Sequence, residues 1–347
     1  MNCIDFVHDV ADVFYSDFGN YDLNVVFYLT RHCNLACPDC YMHASPDVPE
    51  NQMPVDDIKF YLAELKSLPN FIPAVAFSGG EVFTLPLEYL RENIENAFAE
   101  NLAVELKSNG AWGADSQSRK DVFDMVRGLN IPEHMCAPNA DAFEYVVSQK
   151  MKWLDKKRFR AYRLLHDKQR TYKYFLELSK HKYNVDVMAS PLTITLSVDN
   201  VVHSGESVDW CNNIVHDIVR DNDLRRKISL CCMNLDENLK QRVKTYFMDG
   251  YPCTVISGGC KINPNSDNYF DGDWIDKPQY NNGKLVQRGC MNLFFWPDGT
   301  VALDSNLNCQ PVGRVPYKNK NGEYKDIKTI MDNIATKIVR DYEQQNR

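Results

Sequence analysis

The feature that most constrains this chain is an alternation of short apolar runs with amphipathic stripes. Leu23 to Leu29, Ala74 to Phe77 and Val104 to Lys107 read as strands. Val55, Ile58, Leu62 and Leu65 recur at helical spacing, as do Leu87, Leu90, Ile94 and Phe98, and then Val122, Met125, Val126 and Leu129. Parallel strands need a long crossover, usually a helix, so this order predicts parallel βα units. The rhythm breaks between about 130 and 190. It resumes with a strand at Leu192 to Val198, a helix near 208–221, a strand at Lys227 to Met233, a helix near 236–248 and a strand at Cys253 to Ser257. The expected fold class is therefore α/β, a partial (β/α)6 TIM-like barrel over 23–257 with a helical insertion at about 130–190. An N-terminal helical extension over 1–22 (Phe6, Val10, Val13, Phe14) precedes it, and a small C-terminal module over 258–347 follows. In that module Phe294 to Trp296, Pro297-Asp298-Gly299 and Thr300 to Leu303 read as a β-hairpin.

Composition narrows the function. A formal charge of −8 argues against a protein built mainly to coat nucleic acid. No apolar run is long enough to span a membrane, and the start carries Asp5 and Asp9 where a secretory signal would carry basic residues. The expected location is cytoplasmic. Twelve cysteines in a reducing compartment point to metal binding or redox chemistry rather than disulfides.

Three of them share one loop: Cys33-Asn34-Leu35-Ala36-Cys37-Pro38-Asp39-Cys40-Tyr41. A cubane iron–sulfur cluster normally takes four thiolates, so three leave one iron open to another ligand. Structural zinc wants four closed ligands, which His32 or His43 would complete, and the residues alone leave both readings open.

CxxxCxxC followed by an aromatic residue, on the loop after the first strand, resembles the radical S-adenosylmethionine (AdoMet) superfamily. The resemblance implies a [4Fe–4S] cluster on Cys33, Cys37 and Cys40 that reductively cleaves AdoMet to a 5′-deoxyadenosyl radical, which takes hydrogen from a substrate C–H bond. Ser78-Gly79-Gly80-Glu81, at the end of the second strand, resembles the element that meets the AdoMet amino group. Ser108 and Asn109 resemble the position at the ribose, and Thr195 to Asp199 a fourth-strand element whose Ser197 meets the AdoMet carboxylate and whose Asp199 faces substrate. Tyr41 is expected beside the adenine. About 80 residues separate Asn109 from Ser197, more than a plain barrel unit uses.

The tail, with Cys290, Asp298-Gly299-Thr300-Val301 and Cys309, resembles a reduced form of the SPASM and twitch extensions that carry auxiliary clusters. Cys260, Cys290 and Cys309 are its candidate ligands, with Cys253 the nearest fourth. A second auxiliary cluster and a cluster-free relic both remain open. Cys231 and Cys232, adjacent on a strand, put one thiol on each face, and a thiol facing substrate would suit a radical epimerase. His203 is a candidate base, though a lone histidine at a helix start is more often solvated.

Between Lys150 and Lys182 twelve Lys and Arg stand against three acids, interleaved with six aromatic residues. This is either an arm for an anionic partner, RNA included, or an amphipathic helix with a solvated basic face. The expected role is natural-product maturation on a ribosomal peptide or a small metabolite, with RNA modification as the alternative. An electron donor such as flavodoxin or ferredoxin is implied by the resemblance.

Overall fold

The computed structural model describes residues 21–37, 40, 42–66, 68, 71–138, 188–197, 207–233, 253–255, 275–276, 279–281, 284–287, 289–303 and 313–345. The principal elements are β1 (Tyr21–Thr30), α1 (Val55–Leu65), β2 (Phe71–Gly79), α2 (Leu87–Ala99), β3 (Ala103–Ser108), α3 (Ser116–Arg127), β4 (Leu192–Ser197), α4 (Ser207–Arg220), α5 (Asn222–Lys227), β5 (Ser229–Met233), β6 (Cys253–Val255), β7 (Gly289–Phe295), β8 (Thr300–Ala302), β9 (Val315–Pro316) and α6 (Ile327–Gln345). The fold is α/β, and the six strands expected between residues 23 and 257 are all present. The N-terminal extension over 1–20, the basic stretch over 150–182 and the helix expected near 236–248 lie outside the described residues. No helix among the described residues is long and apolar enough to cross a membrane.

Two compact units emerge, one of residues 1–108 with 258–347, the other of residues 109–257. In the first, β1 pairs in parallel with β2, and β2 with β3. The other edge of β1 is taken by β7, also parallel, in a register running from Tyr21 opposite Gly289 to Phe27 opposite Phe295. The expected hairpin forms: Phe294 and Phe295 face Ala302 and Val301 across an antiparallel β7–β8 pair. Its turn is built by Gly299 at φ +85° and by Asp298, whose Oδ1 accepts from Thr300 N at 3.2 Å and Thr300 Oγ1 at 2.6 Å.

Alternation along the strands sorts the aromatic residues onto two faces. Phe27 stacks on Phe295 at 4.9 Å and meets Phe77, and Tyr61 of α1 packs on Phe295 at 4.7 Å. On the other face Tyr28 stacks on Phe294 at 5.4 Å and meets Trp296 edge-on at 4.8 Å. Each such fully buried side chain contributes about 1.5–3 kcal/mol by leaving water.

A polar clamp ties α1 to the segment after β9. Asp57, 4% exposed in the first turn of α1, accepts from Tyr317 Oη at 2.7 Å, Lys318 Nζ at 2.6 Å and Tyr324 Oη at 2.7 Å. Tyr61 Oη donates to the carbonyls of Tyr317 and Lys325. The closing helix α6 was not anticipated from the sequence. Its signal is present, however, in Ile327, Ile330, Met331, Ile334 and Ile338, all buried, and in Asp326, which accepts from Thr329 N.

In the second unit β4, β5 and β6 form a parallel set, with Thr195 to Ser197 opposite Cys231 to Met233. Helix α5 occupies residues where the strand was expected to start at Lys227. Asp221 caps it, accepting from Asp223 N and Leu224 N. Arg119 reaches Asp217 at 2.7 Å and Arg127 reaches Asp221 at 2.6 Å, fastening α3 to α4 and to the cap of α5.

Candidate functional site

The candidate site lies where β1 and β2 end. Beyond Thr30 the chain enters the cysteine loop, and Thr30 Oγ1, fully buried, accepts from His32 N at 3.0 Å. The loop returns on itself: Cys33 N donates to Ser45 O at 3.3 Å, and His32 bridges Ser45. Two tight turns carry the remaining thiols, through Cys40 N to Cys37 O at 3.2 Å and His43 N to Cys40 O at 2.9 Å. His43 takes the left-handed conformation, φ +49°. The His32 ring Nδ1 meets Val48 O at 2.9 Å, which gives this histidine a loop-bracing role.

Cys33 is 7% exposed, while Cys37 and Cys40 are half-buried. Two backbone amides already address thiol sulfur, Leu35 N to Cys33 Sγ and Ala44 N to Cys40 Sγ, each at 3.4 Å. Burial pushes the Cys33 thiol up to about 11, against the pull of the Leu35 N–H. Charge on Glu81, Cys37 and Cys40 adds to the rise. Those contributions place the three thiols and Glu81 in one electrostatic neighbourhood. Among the described residues no three His, Cys, Asp or Glu groups converge as a single metal ion requires. A cubane makes a different demand, one thiolate for each iron it engages. An all-thiol donor set whose sulfurs receive N–H donors fits such a cluster.

The second wall is Ser78-Gly79-Gly80-Glu81. Gly80 N donates to Thr30 O at 2.8 Å and Glu81 N to His32 O at 3.0 Å, so this turn is stitched to the start of the cysteine loop. Both glycines are required by that close approach. A Cβ on Gly79, at φ +140°, would stand 2.2 Å from Thr30 O, and one on Gly80 would stand 2.0 Å from His32 O. Relief requires backbone movement, so Gly80→Ala is expected to cost about 1–3 kcal/mol. It is also expected to cut iron uptake severely, measured as iron per chain alongside a denaturation curve. Normal iron content in that variant would mean the loop does not depend on the approach.

Glu81 is 2% exposed, and its Oε1 accepts from Ser108 Oγ at 2.9 Å and from Phe83 N at 3.1 Å. Ser108, at the end of β3, thus orients the carboxylate. Asn109 belongs to the second unit, where its Oδ1 accepts from Ala111 N at 2.9 Å. Ser197 ends β4 opposite Met233. Cys231 and Cys232 lie on β5 opposite Thr195 and Leu196. Cys290 sits in β7 opposite Asp22, at the N-terminal end of β1, whereas the cysteine loop leaves the C-terminal end. Along a strand that separation is about 26 Å. Tyr41, Asp199, His203, Cys260 and Cys309 lie outside the described residues.

One contribution was missed from the sequence. Trp296 and Phe294 join Val26, Tyr28, Cys33, Met42, Ala44 and Ala76 in a buried cluster against which Leu35 and Cys40 pack. The tail therefore forms part of the floor beneath the cysteine loop.

Comparison with known proteins finds no matching family model. YydG of Bacillus subtilis (strain 168), whose name points to peptide biosynthesis, is 29% identical over 111 residues, 32% of this chain. The chain spans about a third (34%) of that curated relative's length. Among solved structures, SuiB of Streptococcus suis bound to S-adenosylmethionine aligns over 82% of this chain and 61% of its own, at 13% identity and a TM-score of 0.36. The enzyme anSMEcpe with bound AdoMet aligns over 92% and 81%, at 13% identity and a TM-score of 0.41.

Proposed function

We propose that this chain, which resembles the radical AdoMet superfamily in the order and placement of its motifs, is a radical AdoMet enzyme of peptide maturation. The observation that carries the reading is the stitching of the Gly79-Gly80-Glu81 turn to the start of the three-cysteine loop. Cys33, Cys37 and Cys40 would hold a [4Fe–4S] cluster, with one iron left for the amino acid end of AdoMet. When bound, the cluster supplies the electron that cleaves AdoMet and starts hydrogen abstraction from substrate.

The chain's own residues do the rest. Glu81, its Oε1 held by Ser108 and Phe83, offers a buried carboxylate to the AdoMet ammonium. Burial strengthens that interaction by excluding water. Ser78, Gly79 and Gly80 supply backbone to the same group, and Tyr41, Asn109 and Ser197 are assigned the adenine, ribose and carboxylate. Asp199 and His203 are the candidate substrate-facing groups. The peptide substrate class rests on the partial match to YydG. Cys231 and Cys232 are retained as hydrogen donors for the epimerase version of the reaction. Cys260, Cys290 and Cys309 would serve an auxiliary cluster remote from the first.

The test is anaerobic reconstitution with iron and sulfide, followed by AdoMet and a low-potential reductant such as reduced flavodoxin. The expected products are methionine and 5′-deoxyadenosine. Zinc in place of iron, or iron uptake with no AdoMet cleavage, would sink the assignment.

A further inference from the structure

The indole of Trp296 is fully buried, and its Nε1–H has no hydrogen-bond partner among the described residues. Burying such a donor without an acceptor is unfavourable, and native structures rarely leave one so. Its surroundings are nearly all apolar. The cluster around it offers the Tyr28 hydroxyl and the sulfurs of Cys33 and Met42, with Cys40 packed alongside. Tyr28 meets the indole edge-on, with its ring centroid 4.8 Å away.

A second observation concerns the opposite side of the ring. The Arg314 guanidinium lies 4.8 Å above the Trp296 centroid. It is held there by Thr300 Oγ1, which accepts from Nε at 2.6 Å, and by Asp298, which accepts from Nη2. A cation over the face draws electron density from the indole and makes its N–H a stronger donor. The hairpin turn therefore delivers a buried, polarised donor to the underside of a loop carrying three thiols.

We propose that Trp296 Nε1–H donates a hydrogen bond to sulfur of the iron–sulfur cluster, a thiolate or a sulfide, and raises its reduction potential. This rests on the radical AdoMet reading of the cysteine loop. Reduction adds one electron and leaves more negative charge on sulfur, and an N–H aimed at that sulfur stabilises the reduced form. The amides of Leu35 and Ala44 already address Cys33 and Cys40 in the same way. Trp296 adds a side-chain donor whose strength Arg314 sets.

The experiment uses the reconstituted full chain without AdoMet. With indole-15N tryptophan incorporated, the reduced cluster is expected to show one 15N hyperfine coupling by pulsed electron paramagnetic resonance. Absence of that coupling in wild type overturns the proposal, whatever any variant does. In Trp296→Phe the reduced-to-oxidised ratio at a fixed potential is expected to fall about tenfold, equivalent to about 59 mV for a one-electron couple. Arg314→Gln is expected to show a smaller fall with the 15N coupling retained. A Trp296→Phe protein that loads iron normally with an unchanged potential overturns the proposal. So does one whose only defect is weaker AdoMet binding, which would assign the N–H to AdoMet. Failure of wild type to form any cluster would instead remove the parent reading.

Discussion

A Cys33→Ala/Cys37→Ala/Cys40→Ala variant, reconstituted beside wild type, is expected to lose about four irons per chain and all AdoMet cleavage. The loop carries its thiols on consecutive tight turns, Cys37 to Cys40 and Cys40 to His43, so no other described cysteine replaces them. Cys136 and Cys211 belong to the other unit, and the register puts Cys290 at the far end of β1. The fold should survive, because Cys37 and Cys40 are only half-buried and Cys33 is replaced by a smaller apolar side chain. Loss of the Cys33 sulfur leaves a small void costing about 1 kcal/mol. The remaining iron is equally informative. Four irons falling to none would leave the tail cysteines structural. Eight falling to four would put a second cluster on Cys260, Cys290 and Cys309 and favour an oxidative reaction on a peptide. Iron content unchanged by the triple substitution would place the metal elsewhere and end the present assignment.

Asp57→Ala is expected to destabilise the first unit by about 3–5 kcal/mol, the cost of removing one partner from a buried charged network. Three donors converge on this carboxylate: Lys318, Tyr317 and Tyr324. Removing it strands the buried Tyr317 hydroxyl and releases Lys318 from its partner. Lys318 is partly exposed, so water recovers part of the loss and the lower end of the range is expected. Tyr324→Phe removes one donor and leaves the others in place, and about 1 kcal/mol is expected. Denaturant unfolding of both variants checks the order.

The same group makes stability depend on pH. Burial pushes Asp57 up, but Lys318, Tyr317 and Tyr324 together outweigh it and hold the carboxyl below its usual value. A depressed native value means that the unfolded chain binds the proton more readily. The stabilisation is therefore complete above the ordinary aspartate range and is lost as pH falls through the native value. In Asp57→Asn the acid limb of the stability curve is expected to flatten. An unchanged acid limb would show that the clamp carries no net charge effect.

Local signals read well from this sequence. Each of the six strands is a compact β-favouring run, and Val122, Phe123, Met125 and Val126 bury the face that their spacing predicts. The cysteine loop is legible because one short segment contains all its ligands. Gly79 and Gly80 are legible as a special turn, but the reason for them is not. Their missing Cβ atoms make room for the backbone of Thr30 and His32, nearly fifty residues earlier, and no local pattern encodes that contact. The β7–β1 pairing was hidden for the same reason. Parallel pairing is decided by packing across long sequence separations, and nothing in Gly289–Phe295 announces its partner. Asp57 reads locally as an ordinary first-turn acid of a helix, and its role as the anchor of Tyr317, Lys318 and Tyr324 exists only in three dimensions. Trp296 was passed over because an aromatic residue before a Pro-Asp-Gly turn looks like hairpin packing. Its unmatched N–H emerges only once its neighbours are known.

The parallel seating of β7 against β1 also governs the order of events during synthesis. A ribosome releases β1 early but does not release Phe295 until more than two hundred residues later. At about 5–20 residues per second that interval is on the order of tens of seconds. Throughout it one edge of β1 is open, with Val26 and Tyr28 lacking the Phe294 and Trp296 that later cover them. An open apolar edge of this kind invites pairing with other nascent chains. The floor beneath the thiols is therefore among the last parts to be laid, and metal delivered to the loop before then meets a site without its lower wall. Iron loading after chain release, rather than on the ribosome, follows from the topology alone.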